Sequence, residues 1–405
     1  MTNMERFDVI VHLLGEQRLP VYLGINQFEC PRHIIVHSGV HGEMQDALER
    51  LLPDRVRTEG VKVHPYDPNA TKRAILDALG VTDGRIIGFN LTGGTKLMFA
   101  GASAACEQVA GVPFYFETIK NKLIRLDRNF KRSDVVPIES VDPFFTLAGF
   151  RVIDAGRWED DPSRQQRADL TQSLWPLAKK LAAVYRSVSD FNDNPGTPFR
   201  VEKKGVRVEL DRSSTATIHV GDFYYQQDNW PEFARYISGG WFEEYCYLQL
   251  LPLLRQQRVK DLRIGLRIDW LRQLPHRNPL GAQEFDIAFT DGHVLYLIEA
   301  KAGAVRAEYV YGLENHVRHY GGVVAKGALV SVFPPSAEST IQRLRDSHCI
   351  GAFWAGAVPS EFHQRILSME PGQTFGGRPG RNKPYRKKHQ AGFQPMDDAF
   401  REAGR

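Results

Sequence analysis

Residues 284 to 301 read EFDIAFTDGHVLYLIEAK, two apolar and β-rich runs on either side of the pair Asp291-Gly292. An Asp-Gly pair between such runs is the strongest short-range sign of a β-hairpin with a two-residue turn. Pairing Thr290 with His293 then fixes the register of both strands. The second run, VLYLI, is apolar throughout, so the hairpin needs the core of a larger sheet to cover it.

The hairpin is expected to bring two acids and a lysine to one face. Its register sets Asp286 opposite Leu297 and diagonal to Glu299, and side chains alternate with period two, so Asp286, Glu299 and Lys301 share a side. Diagonal positions lie about 7–8 Å apart, within reach of one divalent cation. Carboxylate oxygens suit Mg²⁺ or Mn²⁺, and a lysine can orient water or neutralise transition-state charge. The pattern predicts metal-dependent phosphodiester hydrolysis; the simpler alternative is a solvated ion pair.

The spacing D-x12-E-x-K on a hairpin resembles the core of PD-(D/E)xK nucleases. Asp286, Glu299 and Lys301 occupy its three motif positions, with Phe285 where the name of the family has proline. The resemblance implies that Asp286 and Glu299 hold the metal and that Lys301 completes the catalytic set.

A fourth element of the motif, an acidic residue, is expected on the helix before the hairpin, and this helix begins near Gly239 in GGWFEEYCYLQLLPLL. Its first turn carries Glu243 and Glu244. Either acid could serve only to stabilise the helix, by interacting with the positive end of its dipole. Similarity to a G-x-W-L-E pattern of related nucleases favours Glu243. Apolar residues at helical spacing predict the buried stripe of this helix: Trp241, Tyr245 and Leu248.

Downstream, a helix ends at Gly321-Gly322 and a hydrophobic strand starts at Gly327, which predicts the α-β-β-β-α-β order of a nuclease core.

The first 130 or so residues alternate short apolar runs with helical patterns. FDVIVHLL, RHIIVHSG, VKVHPY, RIIGFN and VPFYFET are typical of parallel strands buried on both faces, and the segments between them have helical spacing. This pattern predicts an α/β, doubly wound, Rossmann-like domain. Such sheets bind ligands beyond the carboxyl ends of their strands.

Two strand ends carry residues suited to a phosphate ligand. After RIIGFN, Thr92 can cap a helix, Gly93 and Gly94 let a ligand approach the backbone, and Thr95 and Lys96 open the next helix. Ser38 and Gly39 follow RHIIVH in a similar position. Strand-glycine-helix turns are also frequent for steric reasons alone, and neither segment matches a P-loop.

FNLTGGTKLM after a strand is similar to the ligand loop of CARF domains, which sense cyclic oligoadenylates in type III CRISPR defence. HLLGEQRLPVYLG resembles their first strand and loop, with Gln17 and Pro20 in matching positions. Together with the nuclease motif, the chain resembles CRISPR ancillary nucleases that fuse a CARF domain to a PD-(D/E)xK domain. The resemblance implies a homodimer that binds one cyclic tetra-adenylate across its two-fold axis. Its contacts would be Gln17, Ser38, Gly39, Thr92, Gly93, Gly94, Thr95 and Lys96.

We therefore expect a CARF domain over residues 1–135, a linker or winged-helix-like module over 136–235, a nuclease domain over 236–370 and a flexible basic tail over 371–405. The tail holds six Lys or Arg residues between Arg378 and Lys388, which can hold phosphates or solubilise the terminus.

Composition adds few constraints. The 405 residues are 42% hydrophobic and 25% charged, as in a soluble globular protein, and the net charge of +4 does not by itself indicate a nucleic-acid binder. The cysteines are far apart, without a C-x-x-C pair, which favours a reducing cytoplasm: Cys30, Cys106, Cys246 and Cys349. The sequence predicts no signal peptide and no membrane span.

The sequence thus favours a cyclic-oligoadenylate-activated endonuclease. A CARF-containing transcription regulator with an inactive nuclease fold, and a repair or restriction nuclease without an activator, are the alternatives. The residues do not choose between single-stranded RNA, single-stranded DNA and supercoiled duplex as substrate.

Overall fold

The computed structural model describes residues 5–39, 42–182, 199–210, 215–221, 223–228, 230–271, 283–303, 305–335 and 337–376. The basic tail expected between Arg378 and Lys388 lies outside these residues. In the described part of the chain, no helix combines the length and the apolar character that crossing a bilayer requires.

The N-terminal sheet has seven strands: β1 Val9–Leu13, β2 Arg32–His37, β3 Arg57–Lys62, β4 Ile87–Asn90, β5 Val112–Glu117, β6 Lys122–Arg125 and β7 Lys131–Asp134. Their order is β3-β2-β1-β4-β5-β6-β7, and the first five run parallel. Four helices belong to this half: α1 Leu19–Gln27, α2 Gly42–Leu51, α3 Pro68–Leu79 and α4 Lys96–Gln108. The predicted doubly wound α/β domain is confirmed.

Strand β1 shows why apolar runs predicted this domain so well. All five of its residues are buried, because helices cover both faces of the sheet. The buried polar side chains are satisfied internally: His12 Nε2 lies 2.9 Å from His33 Nδ1, and Asn90 Nδ2 donates to the Pro20 carbonyl at 2.8 Å. Burial lowers the pKa of His33 to about 4, so the pair stays neutral in the core.

The C-terminal half is built on a second seven-stranded sheet of order β18-β17-β16-β15-β14-β13-β8. Its strands are β8 Phe150–Asp154, β13 Asp261–Trp270, β14 Gln283–Thr290, β15 Leu295–Lys301, β16 Ala325–Ser331, β17 Ile350–Trp354 and β18 Thr374–Phe375. The helices that accompany it are α5 Asp142–Leu147, α6 Pro162–Gln166, α7 Ala168–Ser173, α8 Trp230–Arg235, α9 Trp241–Arg255, α10 Ala307–Gly321, α11 Glu338–Asp346, α12 Ala357–Ser360 and α13 Phe362–Arg365. The predicted order of helix, three strands, helix and strand is found in α9-β13-β14-β15-α10-β16.

The segment expected to be a linker, residues 136–235, contributes to two parts of the structure. Strand β8 pairs with β13 and so extends the second sheet, and helices α6 and α7 pack toward α9. A separate antiparallel sheet of four strands follows: β9 Phe199–Lys203, β10 Val206–Leu210, β11 Ala216–Val220 and β12 Phe223–Gln227. At the other boundary, Phe375 of β18 stacks on Phe353 with ring centroids 4.6 Å apart, so the second sheet continues past residue 370.

The hairpin of β14 and β15 exists, but its predicted register is wrong by two residues. Thr290 pairs with Leu295 and Ile287 with Ile298, so a four-residue loop replaces the two-residue turn. The Asp291 carboxylate stabilises that loop, because Oδ1 accepts from the backbone of His293 at 2.9 Å and of Val294 at 2.8 Å. A shift by two residues keeps every side chain of a strand on its original face.

In the N-terminal half, the loop after β4 packs backbone to backbone against the end of β1. A Cβ atom on Gly93 would lie 2.1 Å from the Leu13 carbonyl oxygen and 3.0 Å from the Gly15 nitrogen. Glycine is therefore required here by close chain packing, independently of any ligand.

We predict that Gly93→Ala lowers the free energy of unfolding by about 1–3 kcal/mol, the usual cost of overpacking a site that cannot yield. Gly39→Ala is the matched control on the same edge of the sheet, because its Cβ would meet nothing within 4 Å. Urea unfolding of both variants measures the difference. Equal stability of the two would contradict the packing role of Gly93.

Candidate active site and ligand-binding edge

The strands β14 and β15 separate at Asp286. Continuing the observed register places Asp286 opposite Glu299, rather than diagonal to it as predicted. The Ala300 N–H donates to Asp286 Oδ2 at 2.8 Å, so a side-chain carboxylate takes the place of a backbone acceptor. Beyond this point β14 stays paired with β13, and β15 stays paired with β16. The gap between β14 and β15 is called the cleft below.

The alternation of faces also breaks at this point. Phe285 belongs to the apolar cluster that includes α10, whereas Ile287, two residues on, belongs to the cluster that includes α9. Gly265, opposite Asp286 on β13, has φ 67°. This local twist explains why the Asp286 carboxylate reaches into the gap between strands.

Lys301 lies between the two motif acids. Its ammonium is 2.6 Å from Glu299 Oε1 and 3.4 Å from Asp286 Oδ2, and it lies 5.4 Å from the centre of the Tyr309 ring. Burial by itself lowers the pKa of Lys301, but Asp286 and Glu299 outweigh it and raise the pKa above its ordinary value. Burial, and next the charge of Glu299, raises the pKa of Asp286 to about 6. The structure thus brings Asp286, Glu299 and Lys301 together as expected.

The structure separates the two glutamates at the start of α9. Glu243 is half-buried and faces the cleft: burial, and next the charge of Asp286, raises its pKa to about 8. Glu244 points away from the cleft and is 4% exposed, with Arg167 Nε 3.1 Å from each of its carboxylate oxygens. Of the two candidates, only Glu243 is placed beside Asp286 and Lys301.

The donor chemistry of the cleft fits a hard divalent cation. In the described ranges, no three His, Cys, Asp or Glu side chains converge as a preformed metal cage. Asp286 and Glu299 nevertheless already share one cation, the Lys301 ammonium, and carboxylate oxygens are the donors that hard divalent cations prefer. Asp286 and Glu299, with Glu243 beside them, could therefore hold Mg²⁺ or Mn²⁺.

Sequence reasoning missed two residues of α10 near this cleft. Tyr309 lies under the Lys301 ammonium, and the ring of His316 lies 5.4 Å from that of Phe285. Burial lowers the pKa of His316, against the opposing effect of the Glu299 charge. The two residues are seven apart and so share a helix face, a spacing visible in the sequence once the helix is known to cover this side of the sheet.

The residues expected to bind a ligand gather at one edge of the N-terminal sheet. The segments after β1, β2 and β4 carry them, and these three strands are parallel neighbours. Several of the residues are exposed there: Gln17, Ser38, Gly39, Gly94 and Lys96.

The expected capping role of Thr92 is wrong. Thr95 caps α4, because its Oγ1 accepts from the Met98 N–H at 3.1 Å. The Thr92 hydroxyl instead donates to Asn90 Oδ1 at 2.6 Å and accepts from the Phe116 N–H at 2.8 Å. Thr92 thereby ties the loop to β4 and β5, which leaves Lys96 as the exposed first residue of the helix.

A cavity of about 500 Å³ lies between the loop after β1 and the C-terminal half. Gln17 and Arg18 line one wall, and Arg318 and His319 near the end of α10 line the other. Arg18 also donates from Nη1 to the Leu147 carbonyl at 2.9 Å and forms an ion pair with Glu43 at 2.6 Å. The loop after β1 is thus in direct contact with the C-terminal half.

No protein-family model matches the sequence, and no curated protein does. Several solved structures are similar over 89% of this chain. Can2 from Sulfobacillus thermosulfidooxidans, in complex with cyclic tetra-adenylate, is matched over 98% of its length with a TM-score of 0.64 and 18% identity. Protein VC1899 from Vibrio cholerae is matched over 97% of its length with a TM-score of 0.71 and 15% identity.

A third structure, a type III CRISPR defence DNA nuclease activated by cyclic oligoadenylate, is matched over 51% of its length with a TM-score of 0.55 and 17% identity. Likeness at these identities concerns the fold. The chain therefore shares its fold, over both halves, with Can2 and with a type III CRISPR nuclease, as the two sequence motifs predicted.

Proposed function

We propose that this protein is a metal-dependent endonuclease of type III CRISPR defence and that cyclic tetra-adenylate activates it. The observation that carries the proposal is the cleft between β14 and β15, in which Asp286, Glu299 and Lys301 meet beside Glu243. The fold shared with cyclic-oligoadenylate-binding and nuclease structures supports the same assignment.

In this proposal, Asp286 and Glu299 hold Mg²⁺ or Mn²⁺. Held there, such a cation would supply Lewis-acid chemistry for phosphodiester hydrolysis. Lys301 is ion-paired with Asp286 and Glu299, so we assign it the role of a cation. Its ammonium can orient the attacking water and neutralise charge on the pentacovalent phosphorus. Glu243 adds a third carboxyl group beside Asp286 and Lys301.

The proposed activator site is the edge of the N-terminal sheet where the segments after β1, β2 and β4 lie. Gln17 follows β1, and Lys96 follows β4. Lys96 begins α4, so its ammonium and the positive end of the helix both favour a phosphate. Its neighbour Leu97 is 41% exposed, Phe99 is 38% exposed and Tyr66 is 69% exposed. An apolar surface beside the site suits a homodimer that binds a symmetric ring on its two-fold axis.

The catalytic assignment predicts that Lys301→Ala and Asp286→Asn each lower the cleavage rate by about 10²-fold or more, as the loss of a transition-state contact does. Activator affinity should be unchanged, because the cleft lies outside the activator site. Cleavage of single-stranded RNA, single-stranded DNA and supercoiled plasmid is followed with Mn²⁺, with and without cyclic tetra-adenylate, and after chelation with EDTA.

Cleavage that needs metal, activator and Lys301 supports the whole proposal and identifies the substrate. Cleavage without activator would retain the nuclease and refute the sensor. Absence of cleavage under all these conditions, together with binding to a defined duplex, would favour a transcription regulator.

The activator assignment predicts the reverse pattern for Lys96→Ala. The concentration of cyclic tetra-adenylate for half-maximal cleavage should rise about 10–100-fold, the value of one charge-assisted hydrogen bond. The maximal rate at saturating activator should stay the same. Lys131→Ala, an exposed lysine on the edge strand β7, is the control and should leave the activation curve in place. An unshifted curve for Lys96→Ala would refute its contact with phosphate.

The proposed dimer predicts that Phe99→Asp shifts the protein toward the monomer in light scattering after gel filtration, since a charge cannot be buried unpaired in an apolar interface. The same change at exposed Ile119, which is 76% exposed on a different segment, serves as the control. A wild-type monomer at all concentrations would contradict the dimer.

A further inference from the structure

The segment before the nuclease core contributes one buried cation to the surroundings of the active site. Arg167, between α6 and α7, is 4% exposed. Its Nε contacts both carboxylate oxygens of Glu244 at 3.1 Å, and its Nη1 donates to Glu232 Oε1 of α8 at 2.7 Å. The guanidinium carbon also lies 4.7 Å from the centre of the Tyr236 ring. One side chain thus joins α7, α8 and α9.

Thr171 of α7 completes the same cluster. Its hydroxyl donates to Glu244 Oε2 at 3.2 Å and lies 2.8 Å from the Tyr236 hydroxyl. Glu244 is therefore held by the Arg167 guanidinium and the Thr171 hydroxyl, and Arg164 Nε lies 3.8 Å from its Oε1. Every polar group of the cluster has a partner, as a buried network requires.

Among the described residues, no side chain caps the start of α9. Its N-cap residue is Gly240, which has no side chain that could cap the helix. A π-helical turn, Tyr236–Gly240, precedes α9. Adjacent residues of a helix project about 100° apart, so Glu244 faces the cluster while Glu243 faces the cleft. Fixing the side chain of Glu244 therefore fixes the direction in which Glu243 leaves the helix.

We infer that Arg167 is a positioning residue of the active site, which grips Glu244 and so sets the place of the Glu243 carboxylate beside Asp286 and Lys301. The inference rests on the proposed nuclease function and gives the segment before the core a role in it. A buried ion pair adds little stability over apolar side chains of equal volume, because desolvation offsets the attraction. What the planar guanidinium supplies is one fixed orientation of its carboxylate partner, which lysine cannot supply.

The test is a double-mutant cycle on the full-length protein with Arg167→Lys and Glu243→Gln. The measured quantity is the cleavage rate per folded molecule, with saturating Mn²⁺ and cyclic tetra-adenylate, on the polynucleotide that the wild type cleaves best. Arg167→Lys should lower this rate about tenfold in the wild-type background and less than about twofold in the Glu243→Gln background, because the two residues act through one contact. Circular dichroism gives the folded fraction.

Arg263→Lys is the matched control. Arg263 on β13 is another buried arginine, 3% exposed, which donates to Asp261 of the same strand at 2.6 Å and to the carbonyl of Ala155, just after β8, at 2.9 Å. Its replacement should lower the melting temperature without changing the rate per folded molecule. Thr171→Val provides a milder second variant: it removes the hydroxyl contact to Glu244 and keeps Arg167, and its effect should also vanish in the Glu243→Gln background.

Additive effects in the cycle, or an unchanged rate per folded molecule for Arg167→Lys and Thr171→Val, would overturn the inference. A Glu243→Gln variant that cleaves like the wild type would refute the role of Glu243 and the inference with it. Failure of the proposed function itself is recognised separately, since the wild type would then not cleave.

Discussion

The geometry of the candidate active site depends on the hydrogen bond from the Ala300 N–H to the Asp286 carboxylate. This bond gives the Ala300 N–H of β15 an acceptor at the point where β14 separates from β15. The sheet can therefore split without leaving this backbone donor unpaired. The same carboxylate is 3.4 Å from Lys301, which in turn contacts Glu299. One side chain therefore terminates the strand pairing and begins the charged cluster, and the cleft and the cluster arise from a single structural event.

The electrostatics of the cleft follow from that arrangement. Three carboxyl groups and one ammonium meet at a place where burial is the first cause of the raised pKa of both Asp286 and Glu243. The Lys301 ammonium lies between the Asp286 and Glu299 carboxylates and compensates part of their charge. Glu244, one residue from Glu243, does not share this condition, because Arg167 neutralises it on the other side of the helix.

The sequence allowed some of these features to be predicted and not others, for physical reasons. Parallel strands covered on both faces produce continuous apolar runs, which is why β1 and its neighbours were found. The faces of Glu299 and Lys301 survived an error of two residues in register, because only an odd shift exchanges the faces of a strand. The loop length was missed because the Asp291 carboxylate satisfies two backbone donors that a shorter turn would not have exposed.

Long-range pairs were out of reach. Arg167 and Glu244 are 77 residues apart, and no local pattern connects them. Thr92 was expected to cap α4, but its hydroxyl bonds to Asn90 and Phe116, whose positions only the folded sheet defines, and Thr95 caps the helix instead. The identity of residues at strand ends is thus visible in the sequence, whereas the division of their hydrogen bonds is decided by tertiary neighbours.

Helix α10 connects the two candidate sites mechanically. Its 15 residues span about 22 Å, from Tyr309 beside Lys301 to Arg318 and His319 at the cavity shared with Gln17 and Arg18. The loop between β14 and β15 contacts the segment that follows β7, because the Ile138 N–H donates to the Gly292 carbonyl at 2.7 Å. Gln17 and Arg18 of the loop after β1 thus line a cavity at one end of α10, and the other end of this helix contacts Lys301 in the cleft. Any ligand that binds this edge with different affinity in two arrangements of α10 must, by linkage, shift the population of arrangements of the cleft.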